Sequence, residues 1–120
     1  IGVDVSPLCV AMAKSVAEEE GLQDRCLFYE RDMTQDSDRV LNEVDLKNVT
    51  VVYLYTYPTL LLRLVLLLAR LMDHGSVRAV VTLTYHLPAD VATVEKIDLT
   101  HDFRLYTSIR NSTKLVSWKL

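Results

Sequence analysis

Apolar and polar positions divide the chain into two kinds of segment. Short runs rich in apolar and β-branched residues lie at positions 1–5, 26–30, 49–55 and 77–85, as in strands of a parallel sheet that is covered on both faces. Between them, stretches with helical start and stop signals lie at positions 7–20, 34–44 and 58–75. Strands that alternate with helices predict an α/β fold with a parallel sheet.

The first and last of these helices have clear boundaries. Ser6 is a favourable N-cap, Pro7 suits the first helical turn, and Gly21 is a natural stop. The helix at 58–75 contains the most apolar run of the chain, 60–72. This run is shorter than the roughly 20 residues that cross a bilayer and carries two arginines, so we expect a buried helix.

The C-terminal part of the sequence predicts a different arrangement. An irregular stretch is expected up to about position 102, followed by strands at 103–109 and 114–120. The polar residues 110–113 between them are typical of a hairpin turn, which makes these two strands antiparallel. The chain has no internal repeat and no linker, so we expect one domain over residues 1–120.

Composition narrows the function only slightly. The net charge of −3 disfavours a nucleic-acid surface, which usually needs a basic face. Cys9 and Cys26 lack the spacing of metal ligands, and no other residue pattern predicts a metal site. We therefore expect two reduced core thiols in an intracellular protein, cytoplasmic or mitochondrial, since no secretory signal opens the sequence.

Asp4 is the first candidate binding residue. It stands at the carboxyl end of the first strand, just before a helix, where open α/β sheets bind their ligands. A carboxylate at this place can accept both hydroxyls of a ribose. The alternative is that Asp4 caps the following helix, a role that Ser6 also fits.

Asp32 and Met33 follow the next strand. The carboxylate of Asp32 could accept from the amino group of an adenine, while Met33 offers a backbone N–H and a soft apolar side chain. The alternative is a loop aspartate that starts a helix. Because parallel strands bring their carboxyl ends to one edge of a sheet, we expect Asp32 to lie near Asp4.

A third candidate set, Tyr55, Thr56 and Tyr57, follows the third strand. Tyrosines at this edge could line a channel for a substrate amine, or could simply pack beside the strand. His86 follows the fourth strand at the same edge, and a single histidine near a proline is more often structural or exposed than catalytic.

The residues that carry these candidates resemble a known family. The run Gly2-Val3-Asp4-Val5-Ser6-Pro7, the helix that follows and the segment 28–33 are similar to the second strand, its helix and the adenine-binding turn of class I S-adenosylmethionine-dependent methyltransferases. Residues 51–58, the leucine helix and the strand at 77–85 are similar to the small protein lysine methyltransferases that act on mitochondrial carrier and synthase subunits.

The resemblance implies a set of site residues and a cofactor. Asp4 would hold the ribose of S-adenosylmethionine or S-adenosylhomocysteine, Val5 would pack under the adenine, and Asp32 and Met33 would contact the adenine edge. Tyr55 and Thr56 would face the methyl group as the catalytic residues.

The resemblance also implies a fold: a partial Rossmann-like methyltransferase sheet, with the family's strands 2 to 5 parallel, a terminal antiparallel hairpin and helices on both faces. The family's strand order is 3-2-1-4-5-7-6. Its central first strand and glycine-rich cofactor loop would precede Ile1, and the three glycines present, at 2, 21 and 75, lie in no such loop. We therefore expect a truncated domain with weak activity or none.

Three functions remain open on these residues. The first is a fragment of a methyltransferase, with a protein substrate as one option for the acceptor. The second is an inactive methyltransferase-like interaction module that associates with itself through the sheet edge or the leucine helix. The third is a dinucleotide-dependent oxidoreductase, which Asp4 fits nearly as well but Asp32, Met33 and the hairpin fit less well.

Overall fold

Helices and strands follow one another in nearly the predicted order. The computed structural model describes residues 1–35 and 37–110, and the chain divides into Ile1–Val44 and Asp45–Leu120, here named the N-terminal and the C-terminal unit. The N-terminal unit contains β1 (Gly2–Asp4), α1 (Pro7–Glu19), β2 (Phe28–Glu30) and α2 (Ser37–Glu43). The C-terminal unit contains β3 (Val51–Leu54), α3 (Pro58–His74), β4 (Ala79–Leu83), β5 (Ala92–Asp98) and β6 (Phe103–Ile109).

The N-terminal unit is built on a parallel pair, β1 and β2. The register runs from Gly2 opposite Phe28 to Asp4 opposite Glu30. A Cβ atom on Gly2 would lie 2.7 Å from a ring carbon of Phe28, so a larger residue here would force the Phe28 ring to shift. The pairing brings the carboxyl ends of both strands to the same edge, as predicted.

Helix α1 begins and ends as the sequence predicted. The Ser6 hydroxyl accepts a hydrogen bond from the backbone N–H of Cys9 at 3.2 Å. At the other end Gly21 adopts a φ of 70°, and the N–H of Leu22 donates to the carbonyl of Ala17 at 2.7 Å. This is the Schellman termination, which favours glycine because of its left-handed backbone.

Neither cysteine of the chain lies in the core. Val10 and Ala17 are buried, and α1 packs against β1 and β2. Cys9 lies off this side and is exposed, and Cys26 precedes β2 and is half-buried. Both thiols are unpaired, but the prediction that they are core residues is wrong, because the side of α1 that packs on the two strands is centred on Val10 and Ala17.

The C-terminal unit is a four-stranded sheet in the order β3-β4-β6-β5. β3 and β4 are parallel, whereas β6 lies antiparallel between β4 and β5. Helix α3 packs against β6. Val80, Thr82 and Tyr106, which point to one face of the sheet, are fully buried, and α3 contributes these buried side chains: Leu61, Leu64, Val65, Leu67, Leu68, Ala69 and Leu71.

The described residues contain an antiparallel hairpin that was not predicted. It joins β5 to β6, so the prediction of an irregular stretch up to position 102 is wrong for Ala92–Asp98. The reason is a bulge: register shifts on both sides of Val94 leave Glu95 without an opposite residue, which breaks the period-two alternation that reveals a strand. The other predicted strand, 114–120, lies outside the described residues.

The strand order agrees with the expected family order. The pair β2-β1 corresponds to the family's strands 3 and 2, and β3-β4-β6-β5 corresponds to its strands 4-5-7-6. The mixed α/β architecture is therefore confirmed, while the single domain over residues 1–120 stays a prediction. None of the helices in the described part of the chain is long and apolar enough to cross a membrane.

Candidate functional site

Asp4 lies exposed at the carboxyl end of β1. Its Oδ1 accepts a hydrogen bond from the backbone N–H of Ser6 at 2.8 Å. Ser6, and not Asp4, then caps α1 through Cys9. Within residues 1–35 and 37–110 the second carboxylate oxygen of Asp4 has no hydrogen-bond partner, so this oxygen can accept from a ligand without losing a contact inside the protein.

Val5 presents an apolar surface beside this carboxylate. Its side chain is 63% exposed, although valine is among the residues most often buried. A planar base that covered Val5 would remove this apolar surface from water, which is favourable. An exposed acceptor next to an exposed apolar side chain has the chemistry needed to hold an adenosine.

Asp32 stabilises the turn in which it lies. Its Oδ1 accepts from both the backbone N–H and the hydroxyl of Thr34, at 2.9 and 2.6 Å. The segment that carries it is tied to β1, because the N–H of Arg31 donates to the carbonyl of Asp4 at 3.1 Å. Asp4 and Asp32 therefore share one edge, as predicted, with Met33 half-buried after them. Their roles toward a cofactor stay predictions.

Three tyrosine rings meet in the C-terminal unit. The ring of Tyr85 lies 6.5 Å from that of Tyr55, edge to face, and 5.8 Å from that of Tyr57, centroid to centroid. Tyr55 and Tyr57 are 61% and 71% exposed, and Thr56 between them is half-buried. We name Tyr55, Tyr57 and Tyr85 the tyrosine cluster.

The parallel pairing of β3 with β4 explains this cluster. Leu54 lies opposite Thr82, so the residues just after the two strands emerge at the same edge. Tyr55 and Tyr57 were predicted from the sequence as candidate site residues, and Tyr85 was not. The signal was present, since Tyr85 closes the predicted strand 77–85 at the edge where Tyr55 closes its own.

His86 is held at both ring nitrogens. Nδ1 lies 2.6 Å from the hydroxyl of Thr82, and Nε2 lies 2.9 Å from Oδ1 of Asp102. Only 9% of its side chain is exposed. The sequence left open whether His86 is structural or exposed. Its two hydrogen bonds and its low exposure fit a structural histidine. The partner Asp102 could not be seen in sequence because it lies 16 positions away.

Comparison with known proteins identifies one informative structure. No family model and no curated protein matches the sequence. Among solved structures, the chain is similar to an RNA methyltransferase from Salinibacter ruber, crystallised in complex with S-adenosyl-L-homocysteine. The TM-score is 0.63 at 23% identity, over 95% of this chain and 69% of that one. The fold is that of a class I S-adenosylmethionine-dependent methyltransferase.

The strand order of the C-terminal unit agrees with the class I methyltransferase fold. The antiparallel β6 between β4 and β5 is the feature by which the expected order departs from a wholly parallel dinucleotide-binding sheet. The fold predicted from the resemblance is thus confirmed. The Salinibacter protein acts on RNA, and at 23% identity the likeness extends to the fold alone.

Proposed function

We propose that the chain is part of an S-adenosylmethionine-dependent methyltransferase that methylates an amine, with a protein lysine as the acceptor. The observation that carries this proposal is the strand order β3-β4-β6-β5 of the methyltransferase fold, together with the exposed carboxylate of Asp4 at the ligand-binding end of β1. An oxidoreductase is not favoured, because no observation in the described residues points to a dinucleotide in particular.

The residues of the N-terminal unit fit the adenosine half of the cofactor. The free oxygen of Asp4 can accept from the ribose hydroxyls, and exposed Val5 can pack against the adenine. Asp32 keeps the turn after β2 in place through Thr34, which leaves the backbone of Met33 at the same edge. When bound, the cofactor would supply a methyl group on a sulfonium.

The glycines of the chain do not provide comparable contacts for the methionine half of the cofactor. Gly2 lies within β1 against Phe28, Gly21 ends α1 and Gly75 ends α3. None of the three is in a loop that could approach the methionine moiety. We therefore assign the adenosine contacts to this chain and no contact to the amino-acid end.

The tyrosine cluster supports an amine as the acceptor. Ring faces attract cations, and several tyrosines around one point are a common way to recognise an alkylated ammonium. Tyr55 and Thr56 follow β3, where the resemblance places the groups that face the methyl donor. The tyrosine cluster and Thr56 would orient the amine and exclude water from it. Positioning of this kind accounts for much of the rate of a group transfer.

The net charge of −3 favours a basic protein segment over RNA as the partner, because RNA binding needs cationic surface to neutralise phosphates. The unpaired thiols of Cys9 and Cys26 fit a reducing, intracellular compartment. Protein lysine in such a compartment is the acceptor that agrees with both observations.

Calorimetry with S-adenosylhomocysteine tests the cofactor assignment. Asp4→Asn keeps an oxygen for the Ser6 N–H but removes the charge, and we expect binding to weaken about tenfold, since a hydrogen bond to a charged group is worth roughly 1.5–3 kcal/mol. Glu30→Gln is the matched control, because Glu30 lies opposite Asp4 in the register and is also exposed. Equal losses in both variants, or binding of NAD in place of S-adenosylhomocysteine, would contradict the proposal.

Transfer of a radiolabelled methyl group tests the acceptor. A lysine-rich protein, the same protein with its lysines acetylated, and a structured RNA are offered in parallel to the longer methyltransferase of which we propose the chain to be part. We expect label in the unmodified protein alone. Label in the RNA would move the acceptor to the class on which the Salinibacter protein acts.

A further inference from the structure

The turn after β4 departs from ordinary backbone geometry. Thr84 has a φ of 65° and Asp102 a φ of 56°, in the left-handed region that β-branched residues such as threonine rarely occupy. The N–H of Thr84 donates to the carbonyl of Asp102 at 3.0 Å, which joins the two unusual positions. Tyr85 and His86 follow directly, so the direction of the Tyr85 side chain depends on this turn.

The His86 ring bridges the two sides of the turn. Thr82, at the end of β4, lies against Nδ1, and Asp102, just before β6, lies against Nε2. An ionised carboxylate can only accept, so Nε2 carries a proton and donates it to Asp102. Thr82 can then donate its hydroxyl proton to Nδ1, which uses the hydrogen-bonding capacity of both ring nitrogens.

A second bond anchors the chain on the far side of His86. The N–H of Leu87 donates to the hydroxyl of Tyr106 at 3.0 Å, and this hydroxyl lies 3.5 Å from that of Thr82. Leu87, Thr82 and Tyr106 are all buried. His86 and Leu87 are therefore held by the side chains of Thr82, Asp102 and Tyr106, and the N–H of Tyr85 donates to the carbonyl of Leu83 at 2.7 Å.

Thr82, His86 and Asp102 have the residue types of a nucleophile, a base and an acid. Thr82 is fully buried, so its hydroxyl cannot reach a substrate, and the three residues form no hydrolytic site. Next to His86 in sequence is Tyr85, whose ring is the member of the tyrosine cluster that contacts both others.

We propose that Thr82, His86 and Asp102 are positioning residues that fix the Tyr85 ring between Tyr55 and Tyr57, and so set the affinity of the tyrosine cluster for an alkylammonium group. We name these three residues the His86 clamp. The inference rests on the proposed function only in treating the tyrosine cluster as the acceptor site. The His86 clamp touches no substrate atom and acts through Tyr85.

Paired substitutions separate positioning from general stability. Thr82→Val removes the hydroxyl at nearly constant shape, and Thr82→Ser restores it. Asp102→Ala removes the acceptor, whereas Asp102→Asn keeps an oxygen for Nε2 and tolerates the left-handed backbone. Because the Asp102 side chain is 56% exposed, its variants keep the test decisive if Thr82→Val fails to fold.

Two properties of the full chain are measured by NMR with labelled tyrosine rings. The first is the set of ring-to-ring cross-peaks of Tyr85 with Tyr55 and Tyr57. The second is a titration with tetramethylammonium, a probe of the tyrosine cluster that needs no cofactor and no activity. Binding of S-adenosylhomocysteine is measured separately, so failure of the proposed function and failure of this inference give different results.

We expect Thr82→Val and Asp102→Ala to lose the Tyr85 cross-peaks and to bind tetramethylammonium about threefold more weakly, in keeping with the modest strength of exposed cation–π contacts. Thr82→Ser and Asp102→Asn should keep both, and all four variants should bind S-adenosylhomocysteine like the parent chain. Unchanged cross-peaks and affinity in a folded Thr82→Val or Asp102→Ala chain would overturn the proposal.

Discussion

The candidate residues of the N-terminal unit are held by near neighbours in sequence, whereas those of the C-terminal unit are held by distant ones. Asp4 and Asp32 bond to residues two positions away. His86 and Leu87 bond to residues 16 and 19 positions away. Local turns leave a carboxylate oxygen of Asp4 available to a ligand, while Asp102, 16 positions away, and Thr82, four positions away, use both ring nitrogens of His86 and fix its orientation.

The two units also differ in how much apolar surface they bury. In the described part of the N-terminal unit, the buried apolar side chains are Val10, Ala17, Val40 and Val44. In the C-terminal unit α3 alone contributes seven. The difference indicates that the N-terminal unit depends more on turn chemistry and the C-terminal unit on an intact core.

The largest effect is expected from Leu61→Ala in the C-terminal unit. Leu61 is 1% exposed, and removing a fully buried leucine costs about 2–5 kcal/mol. Leu8→Ala is the control, because Leu8 is 69% exposed and a surface change stays within about 0.5 kcal/mol. Urea unfolding followed by circular dichroism measures both. Equal losses of unfolding free energy in the two variants would contradict the difference in buried apolar surface between the two units.

Tyr106→Phe should cost about 1–3 kcal/mol, since it leaves the buried N–H of Leu87 without an acceptor. Tyr53→Phe is the matched control, because Tyr53 is 56% exposed and its hydroxyl has no partner within the described residues. Hydrogen exchange at the Leu87 amide reports the lost bond directly. A Leu87 amide as protected as in the parent chain would contradict the distant anchoring.

Gly21→Ala tests the local determinants of the N-terminal unit. The φ of 70° favours glycine, and nothing lies within 4 Å of an added Cβ, so the cost is one of backbone conformation, about 1–2 kcal/mol. Gly21→Asn should cost less, because asparagine tolerates this region. Thermal unfolding ranks the three chains, and asparagine as costly as alanine would point to another cause.

The smallest effect is expected at the exposed turn between β5 and β6. A hydrogen bond from the His101 side chain, with backbone N–H groups of His101 and Thr100, lowers the pKa of Asp98 below its ordinary value of 3.8. The stabilisation is therefore complete above that ordinary value and is lost as the pH falls through the lower pKa of the folded chain. Asp98→Asn should flatten this part of the pH–stability curve slightly, and an unchanged slope would contradict it.

Much of the N-terminal unit could be predicted from sequence because its signals are local. Ser6, Pro7 and Gly21 mark α1 to within a residue, β1 ends at Asp4, and β2 ends two residues before Asp32. In the C-terminal unit, α3 could be predicted from the sequence equally well. β5 was missed because the bulge at Val94 and Glu95 breaks its alternation.

The arrangement around His86 could not be predicted for a different reason. Tyr85 joins Tyr55 and Tyr57 only because β3 pairs with β4 in parallel, and Asp102 reaches His86 only because β6 inserts beside β4. Both contacts depend on strand order, which the spacing of residues along the chain does not contain.

A nuclear magnetic resonance titration of the ¹⁵N-labelled chain with S-adenosylhomocysteine tests the central claim most directly. We expect the largest amide shifts at Asp4, Val5 and the segment 31–34, with Glu30→Gln behaving like the parent chain and Asp4→Asn needing about tenfold more ligand. Saturable shifts at these amides with NAD but none with S-adenosylhomocysteine would contradict it.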